Sequence, residues 1–347
     1  MIFSNLLLLF LIFLSSRPNI YADTECPTVL NSGQDRREDK TKLRIVQYNV
    51  EWLFVDYYAP FDCPGQGCTW KNTTQALVHL LFVSDVINTL NPDIINLCEV
   101  EGCDELNMVK NELTTSNTYS VYLKKGTDTS TGQNVGLMTR IEPLISLYRN
   151  EEKSGYPIDG SKCGYTGAPG NSGVSKHYIT EYSINGYKIV MIGAHLLANP
   201  TDPTRCSERE AQASVLQKTI YDYYYMDYEI IMIGDFNDFD NKILDVNSNK
   251  PTSMVLDILK GYKGQYAGKY ELFSIASNIS QEERYSDWWD PNEDCMPENN
   301  EFSMIDHILV TSRIQKMVKN AFIYHGYREY CEKWNSDHFP VVIDLEI

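Results

Sequence analysis

The run Ile231-Met232-Ile233-Gly234-Asp235-Phe236-Asn237-Asp238 joins a short, unbroken apolar segment to a polar end. An apolar stretch of this length beside a glycine reads as a strand buried on both faces. Side chains at its C-terminal end can reach a rim while the strand itself stays inside. The same construction recurs along the chain, at Gln47-Tyr48-Asn49-Val50-Glu51, Leu97-Cys98-Glu99-Val100 and Gly193-Ala194-His195-Leu196. Ser303-Met304-Ile305-Asp306-His307 and Ser336-Asp337-His338-Phe339-Pro340 complete the set.

Working outward, apolar runs rich in Val, Ile and Tyr predict strands over 43–50, 93–100, 119–123, 134–139, 178–184, 188–195, 229–234, 305–310 and 339–345. Leu77, Leu80, Leu81, Ile87 and Leu90 fall on helical spacing and predict a helix over 74–90, stopped by Asn91-Pro92. A second helix is expected over 207–224, with Ser207 as its N-cap and Glu208 and Glu210 in its first turn. The stretches 56–70, 154–173 and 286–300, rich in Gly, Pro, Asn, Asp or Cys, read as loops. Strands interleaved with helices make this a large mixed α/β domain. With 347 residues and 43% hydrophobic content the chain can build one large core, and no linker divides it.

The apolar run 6–14 is far shorter than the roughly 20 residues a membrane-spanning helix needs. It reads as the core of a signal peptide over 1–22, with Ala22 at the cleavage point, although no basic residue precedes the run. An extension over 23–42 and one folded domain over 43–347 follow, in a chain expected to be secreted or lumenal without stable membrane insertion. All nine cysteines lie after residue 22 and would meet an oxidising environment. An odd count leaves one unpaired, and Cys98, inside a buried strand, is the expected free thiol. Cys63 with Cys68 and Cys163 with Cys206 are plausible pairs, although spacing alone does not fix connectivity. Asn72-Thr73-Thr74 and Asn278-Ile279-Ser280 are glycosylation sequons consistent with that compartment.

The net charge of −17 excludes a protein that holds polyanions by diffuse attraction. It leaves room for a phosphate site in which bound cations and a few local Lys or Arg side chains offset the field. Taken singly, each polar strand end is what a turn former or a satisfied histidine would look like. Together, carboxylates from separate strands, carboxamides and two histidines are the set that phosphodiester hydrolysis uses. They supply oxygen ligands for Mg²⁺, a base for water, and donors for the developing charge.

These motifs, with the Asn91-Pro92-Asp93 approach to Glu99 and Gly136-Leu137-Met138-Thr139-Arg140, stand in an order that resembles the endonuclease/exonuclease/phosphatase superfamily. That superfamily includes deoxyribonuclease I, abasic-site endonucleases, neutral sphingomyelinases and inositol-polyphosphate 5-phosphatases. The resemblance runs from Leu43 almost to the C-terminus. It implies a four-layered α/β/β/α sandwich, two packed mixed β-sheets flanked by helices, with the site at one end of the sheets. It also implies roles. Glu99 would be the principal Mg²⁺ ligand, helped by Asn49 and Asp337, with Mn²⁺ as the alternative ion and Ca²⁺ in a structural position. His338, oriented by Asp306, would act on the attacking water or polarise the phosphate. Asp235 would orient or deprotonate the water, Asn237 would hold a phosphate oxygen, and His195 would contact the phosphate or protonate the leaving oxygen.

Two positions depart from the pattern. Glu51 stands where many relatives carry Asp, so it either ligates metal or braces Asn49. Lys176 stands near a position often held by Arg in the nucleases, and a point-charge ammonium does not reproduce a bidentate clamp. Arg140 and Arg205 are further phosphate contacts, or else ordinary salt-bridge partners. Within the family the first expectation is a secreted endonuclease on DNA or RNA. The second is a sphingomyelinase-like enzyme or a phosphatase of phosphoinositides or other small phosphoesters. A third, of another class, is a secreted binding protein that keeps the fold without catalysis.

Overall fold

Because both faces of the central strands are covered, their sequences are continuous apolar runs rather than alternating ones. The computed structural model describes residues 25–55, 69–200, 202–292, 294–327 and 335–347. Fifteen strands run in chain order: β1 (Lys42–Leu53), β2 (Ile94–Val100), β3 (Ser120–Leu123), β4 (Asn134–Thr139), β5 (Ser154–Tyr156), β6 (Gly170–Ser172), β7 (Lys176–Ile184), β8 (Tyr187–His195), β9 (Glu229–Asp235), β10 (Phe273–Ser274), β11 (Asp287–Trp288), β12 (Phe302–Ser303), β13 (Asp306–Val310), β14 (Val318–Ile323) and β15 (Val341–Glu346). Five described helices accompany them: α1 (Thr73–Leu90), α2 (Cys103–Glu112), α3 (Pro203–Tyr225), α4 (Val255–Leu259) and α5 (Ser312–Met317).

One sheet has the order β14-β15-β1-β2-β4-β3 and the other β10-β13-β9-β8-β7, and both mix parallel and antiparallel pairs. Between them lies a core containing Ile45, Leu137, Tyr178, Met191, Ile233, Ile308 and Ile343. The opposite face of the six-stranded sheet, including Val46, Tyr48 and Ile95, packs on Leu80, Val83 and Ile87 of α1 and Leu106 and Val109 of α2. The outer face of the five-stranded sheet, including Ile192 and Met232, packs on Leu216 and Ile220 of α3 and Ile258 of α4. The four layers expected from the resemblance are therefore present. Among the described residues no helix is long and apolar enough to cross a membrane.

Register explains why the polar strand ends meet. β1 and β2 run parallel with Asn49 opposite Cys98, and β8 and β9 run parallel with His195 opposite Asp235. β13, antiparallel to β9, starts at Asp306 opposite that same Asp235, and β15 starts just after His338 with Val341 opposite Gln47. Two glycines permit close packing under this rim, Gly193 against the facing sheet and Gly234 against the neighbouring strand of its own sheet. A Cβ on Gly193 would lie 2.2 Å from Asn96 Oδ1 on the facing sheet, and one on Gly234 would lie 1.8 Å from the Ala194 carbonyl oxygen.

Several expectations are corrected. α3 begins at Pro203, not Ser207: Asp202 is the N-cap, accepting from the Arg205 amide, and Ser207 is buried inside the helix. Proline at the first helical position and Asp before it are a start signal that the later apolar pattern obscured. The stretch 154–173 contains the hairpin β5–β6, and β14 lies in a segment whose exposed Lys319 and Asn320 hide its period. Cys163 pairs with Cys206 and Cys98 is free and buried, whereas Cys26–Cys103 was not anticipated. The pairing of Cys63 with Cys68 lies outside the described residues.

Candidate active site

Asp306 sits at the centre, fully buried at the start of β13. One carboxylate oxygen accepts from Gln47 Nε2 at 2.9 Å; the other accepts from Ser286 Oγ at 2.9 Å and from His338 Nδ1 at 2.7 Å. Fixing Nδ1–H in this way aims Nε2 of His338 outward. Burial by itself would lower the His338 pKa, but the charge and hydrogen bond of Asp306, reinforced by Asp337 and Asp235, hold it well above the ordinary histidine value. The protonated form of the ring is therefore favoured. Around its Nε2 stand Asn49 Nδ2 at 3.4 Å, Asp287 Oδ1 at 3.7 Å and Asp337 Oδ1 at 3.9 Å.

Asp235 and Asn237 form the next wall. The Asn237 amide donates to Asp235 Oδ1 at 2.8 Å, and Asn49 Nδ2 donates to Asp235 Oδ2 at 3.0 Å. Burial, then the charge of Asp306, pushes the Asp235 carboxyl up to about 7. Asn237 adopts φ 50° and donates its side-chain amide to the Leu196 carbonyl at 3.2 Å. His195 Nε2 lies 3.5 Å from Asp235 Oδ2, 3.9 Å from Glu99 Oε1 and 3.5 Å from Lys176 Nζ. Burial, with Lys176 and His338 nearby, drives its pKa well below the ordinary value, so this histidine is neutral.

Glu99 accepts from Asn49 Nδ2 at 3.3 Å and from the Trp52 amide at 3.1 Å. Glu51 accepts from Thr69 Oγ1 at 2.8 Å and from the Asp337 amide at 3.2 Å, while its own amide donates to Asn49 Oδ1 at 3.1 Å. Both roles weighed for Glu51 thus meet at one place: its backbone braces Asn49, and its carboxylate adjoins Asp337. Burial, then the neighbouring charge of Glu51, raises the Asp337 pKa well above the carboxylate range, with Asp287 and Glu99 adding to the effect. Glu51, Trp52, Glu99 and Asn237 all hold left-handed backbone at φ 45°, 50°, 67° and 50°. Such conformations cost free energy in non-glycine residues and tend to gather where side chains must be aimed.

The closest groupings of ligand atoms, Asp235–Asp306–His338 and Asp287–Asp337–His338, both centre on His338. In both, His338 Nδ1 is already committed to Asp306 at 2.7 Å. Glu99, Glu51 and Asp337 are further oxygen donors at this end of the sheets, with Asn49 bonded to Glu99 Oε1 and the Asp337 amide bonded to Glu51 Oε2.

Lys176 opens β7 opposite His195 and is buried, with Nζ 3.1 Å from Gln133 Oε1 and 3.8 Å from Asp128 Oδ2. It is brought into the site. Arg140 is not, and its expected role as a phosphate contact is corrected: it follows β4 at the opposite end of the sheet, where Thr139 pairs with Ile94 at the start of β2. There it bonds Asn91, Thr115 and Asp93 and lies over the Tyr119 ring at 4.6 Å. Arg205 is likewise a helix-surface residue, half exposed and paired with Glu208 at 3.3 Å one turn along α3.

Sequence reasoning missed Asp287, which faces His338 from a stretch read as loop, and the supports Gln47 and Ser286. It also missed Arg209, fully buried on α3. Arg209 donates from Nη1 to the carbonyls of Leu197, Ala198 and Asn199, from Nη2 to that of Pro200, and from Nε to Asp238 at 3.4 Å. It thus holds together the segments that follow His195 and Asn237.

A buried Asp–His pair, a second acid beside an amide, a neutral histidine and an anionic oxygen cluster at the end of two stacked sheets define a hydrolase of phosphoester bonds. The chain belongs to the Endonuclease/Exonuclease/phosphatase family, whose pattern it matches over residues 46–338. No curated protein matches its sequence. Solved structures do share its fold. An AP endonuclease from Archaeoglobus fulgidus superposes with TM-score 0.55 at 14% identity over 88% of this chain and 100% of that one. A 3′ phosphatase from Neisseria bound to product DNA hairpin gives 0.56 at 13% identity, with the same coverage. A mannosyl-6-phosphatase from Bacteroides thetaiotaomicron gives 0.51 at 17% identity, over 87% of this chain and 98% of that one.

Proposed function

We propose that this protein is a secreted, divalent-cation-dependent nuclease that cleaves phosphodiester bonds by attack of water. The observation that carries the hydrolytic part is the Asp306–His338 contact of 2.7 Å beside Asp235 and Asn237. His338, kept cationic and held in one orientation, presents Nε2–H to a phosphate oxygen and offsets the charge that builds there. Asp235, with one oxygen fixed by the Asn237 amide and the other by Asn49, orients the attacking water and takes its proton. Asn237 and Lys176 add donors around the phosphate, and neutral His195 contacts it from the opposite wall. Glu99, Glu51, Asp337 and Asn49 would hold Mg²⁺ or Mn²⁺, which supplies Lewis-acid stabilisation of the phosphoryl oxygens.

Nucleic acid as substrate is supported by DNA-bound relatives of the same fold, the Neisseria phosphatase among them. The disulfides Cys26–Cys103 and Cys163–Cys206 fit an oxidising compartment, in keeping with secretion. The test is a panel with Mg²⁺, with and without Ca²⁺: plasmid DNA, RNA, sphingomyelin and a bis-nitrophenyl phosphate ester. Cleavage of the nucleic acids supports the reading. Cleavage of sphingomyelin alone assigns the site to lipid head groups, and no cleavage of any substrate removes the enzymatic reading.

A further inference from the structure

Asp287 and His338 form an isolated antiparallel bridge: the Trp288 amide donates to the Asp337 carbonyl at 3.0 Å and the Phe339 amide to the Ser286 carbonyl at 2.7 Å. Residues facing each other across such a bridge point to the same side. That side is the site, because Asp287 Oδ1 lies 3.7 Å from His338 Nε2. Side chains along an extended segment alternate. Trp288 accordingly points away and is buried, its Nε1 donating to Glu301 at 2.8 Å. Trp289, whose amide donates to the Glu301 carbonyl at 3.0 Å, keeps its backbone on the β12 edge and returns to the face of Asp287. It is 67% exposed, more than Tyr148 or Tyr224, and the more exposed Tyr225 ends α3, just before β9 starts and far from Asp235.

From the side of Asp287, an exposed indole can turn a ring face to a ligand held at the phosphate site. The net charge of −17 denies this chain the diffuse attraction by which most nucleic-acid-binding surfaces gain affinity. A flat, uncharged platform supplies affinity in a way that charge does not: every nucleobase has a π face, and stacking is indifferent to sequence. We infer that Trp289 is a substrate-binding residue that stacks an unpaired nucleobase next to the phosphate held at His338. The preferred substrate is then single-stranded, or frayed at the cleavage point, since a paired base has no free face to offer. The inference rests on the nuclease reading.

Its test compares oligothymidylate with a base-free deoxyribose phosphate oligomer of the same length, both with Mg²⁺. Trp289→Ala is expected to raise KM for oligothymidylate roughly tenfold, within the usual worth of a stacked base. The same variant should leave KM for the base-free oligomer unchanged and kcat within about twofold on both, as expected of a contact outside the chemistry. Trp289→Phe, which keeps a ring, should recover most of the loss. An unmoved KM on oligothymidylate, or an equal rise on both substrates, overturns the stacking role. If the wild type cleaves plasmid DNA but neither oligomer, the stacking role is overturned while the nuclease reading stands; if it hydrolyses only a phosphoester that is not a nucleic acid, both fall.

Discussion

The two ends of the sandwich treat their charged side chains in opposite ways. At the end where β1 and β2 begin, charges are matched: Arg140 with Asp93 at 3.3 Å, Arg44 with Asp344 at 2.6 Å and Arg36 with Glu142 at 2.5 Å. At the end where these strands stop, Asp235, Asp287, Asp306, Asp337 and Glu99 gather around two histidines, His338 and His195, and Lys176 stands 3.5 Å from His195 and 3.8 Å from Asp128. A balanced end holds the fold together. An end where several carboxylates crowd together is instead suited to a positive species. The difference separates Arg140 from His338 more surely than residue type does, since both are cations beside a carboxylate at the end of a strand.

The contrast is most exposed to failure at His338. His338→Ala should lower turnover on a phosphodiester at least about a hundredfold, the usual worth of a positioned proton donor or acceptor. Steady-state kinetics that show the wild-type rate would dissolve the dyad. Next in size, Glu99→Gln should reduce the rate by more than about tenfold and weaken the response to Mg²⁺. Its thermal midpoint should equal or exceed that of the wild type, because a repelling charge is gone. A lower midpoint with normal rate would place Glu99 among the structural residues.

At the balanced end the signs reverse. Arg140→Met should cost about 2 kcal/mol in chemical denaturation, since Asp93 and Asn91 lose a buried partner, with kcat unchanged well below the unfolding transition. A fall in kcat without loss of stability would return Arg140 to the site. The smallest effect is a pH slope. Asp235 is raised from about 3.8 in the unfolded chain to about 7 in the folded one. Between those values the folded state holds a proton that the unfolded state has released, so stability from this group is present below pH 4 and lost as pH rises toward 7. In cation-free protein, Asp235→Asn should therefore gain more stability over the wild type at pH 7.5 than at pH 5. Equal gains at both pH values would show that Asp235 ionises normally.

Much of this end was legible in the sequence because its residues stand at the junction of an apolar run and a polar stretch. Asn49, Glu99, His195, Asp235, Asn237, Asp306 and His338 all have that mark, and parallel pairing of β1 with β2 and β8 with β9 does the rest. Glu51, two residues past Asn49, was legible only as a choice between two roles. What escaped had no such mark. Gln47 lies 259 residues from the Asp306 it supports, and before folding it is simply a polar residue in a strand. Arg209 looks like the solvated face of a helix, because nothing local reveals that loop carbonyls will close over it. Asp287 sits in a stretch whose Asp, Pro and Asn content announces a loop, and only its bridge to His338 gives it a direction.

Arg140 shows the converse error. It follows an apolar strand just as Asp235 does, but β4 runs antiparallel to β2, so the end of β4 is the wrong end of the sheet. Strand direction is a property of pairing, and pairing is not written in the strand itself.

The measurement closest to the central claim is a Mg²⁺ titration of phosphodiester hydrolysis after exhaustive treatment with EDTA, run side by side on wild type, Glu99→Gln and Arg140→Met. Activity should vanish in EDTA and return with Mg²⁺ in the wild type and Arg140→Met at matching concentrations. In Glu99→Gln the return should require a higher concentration and stop at a lower plateau. Hydrolysis that survives EDTA, or a Glu99→Gln curve that overlays the wild type, would contradict the assignment of the anionic end to a catalytic cation.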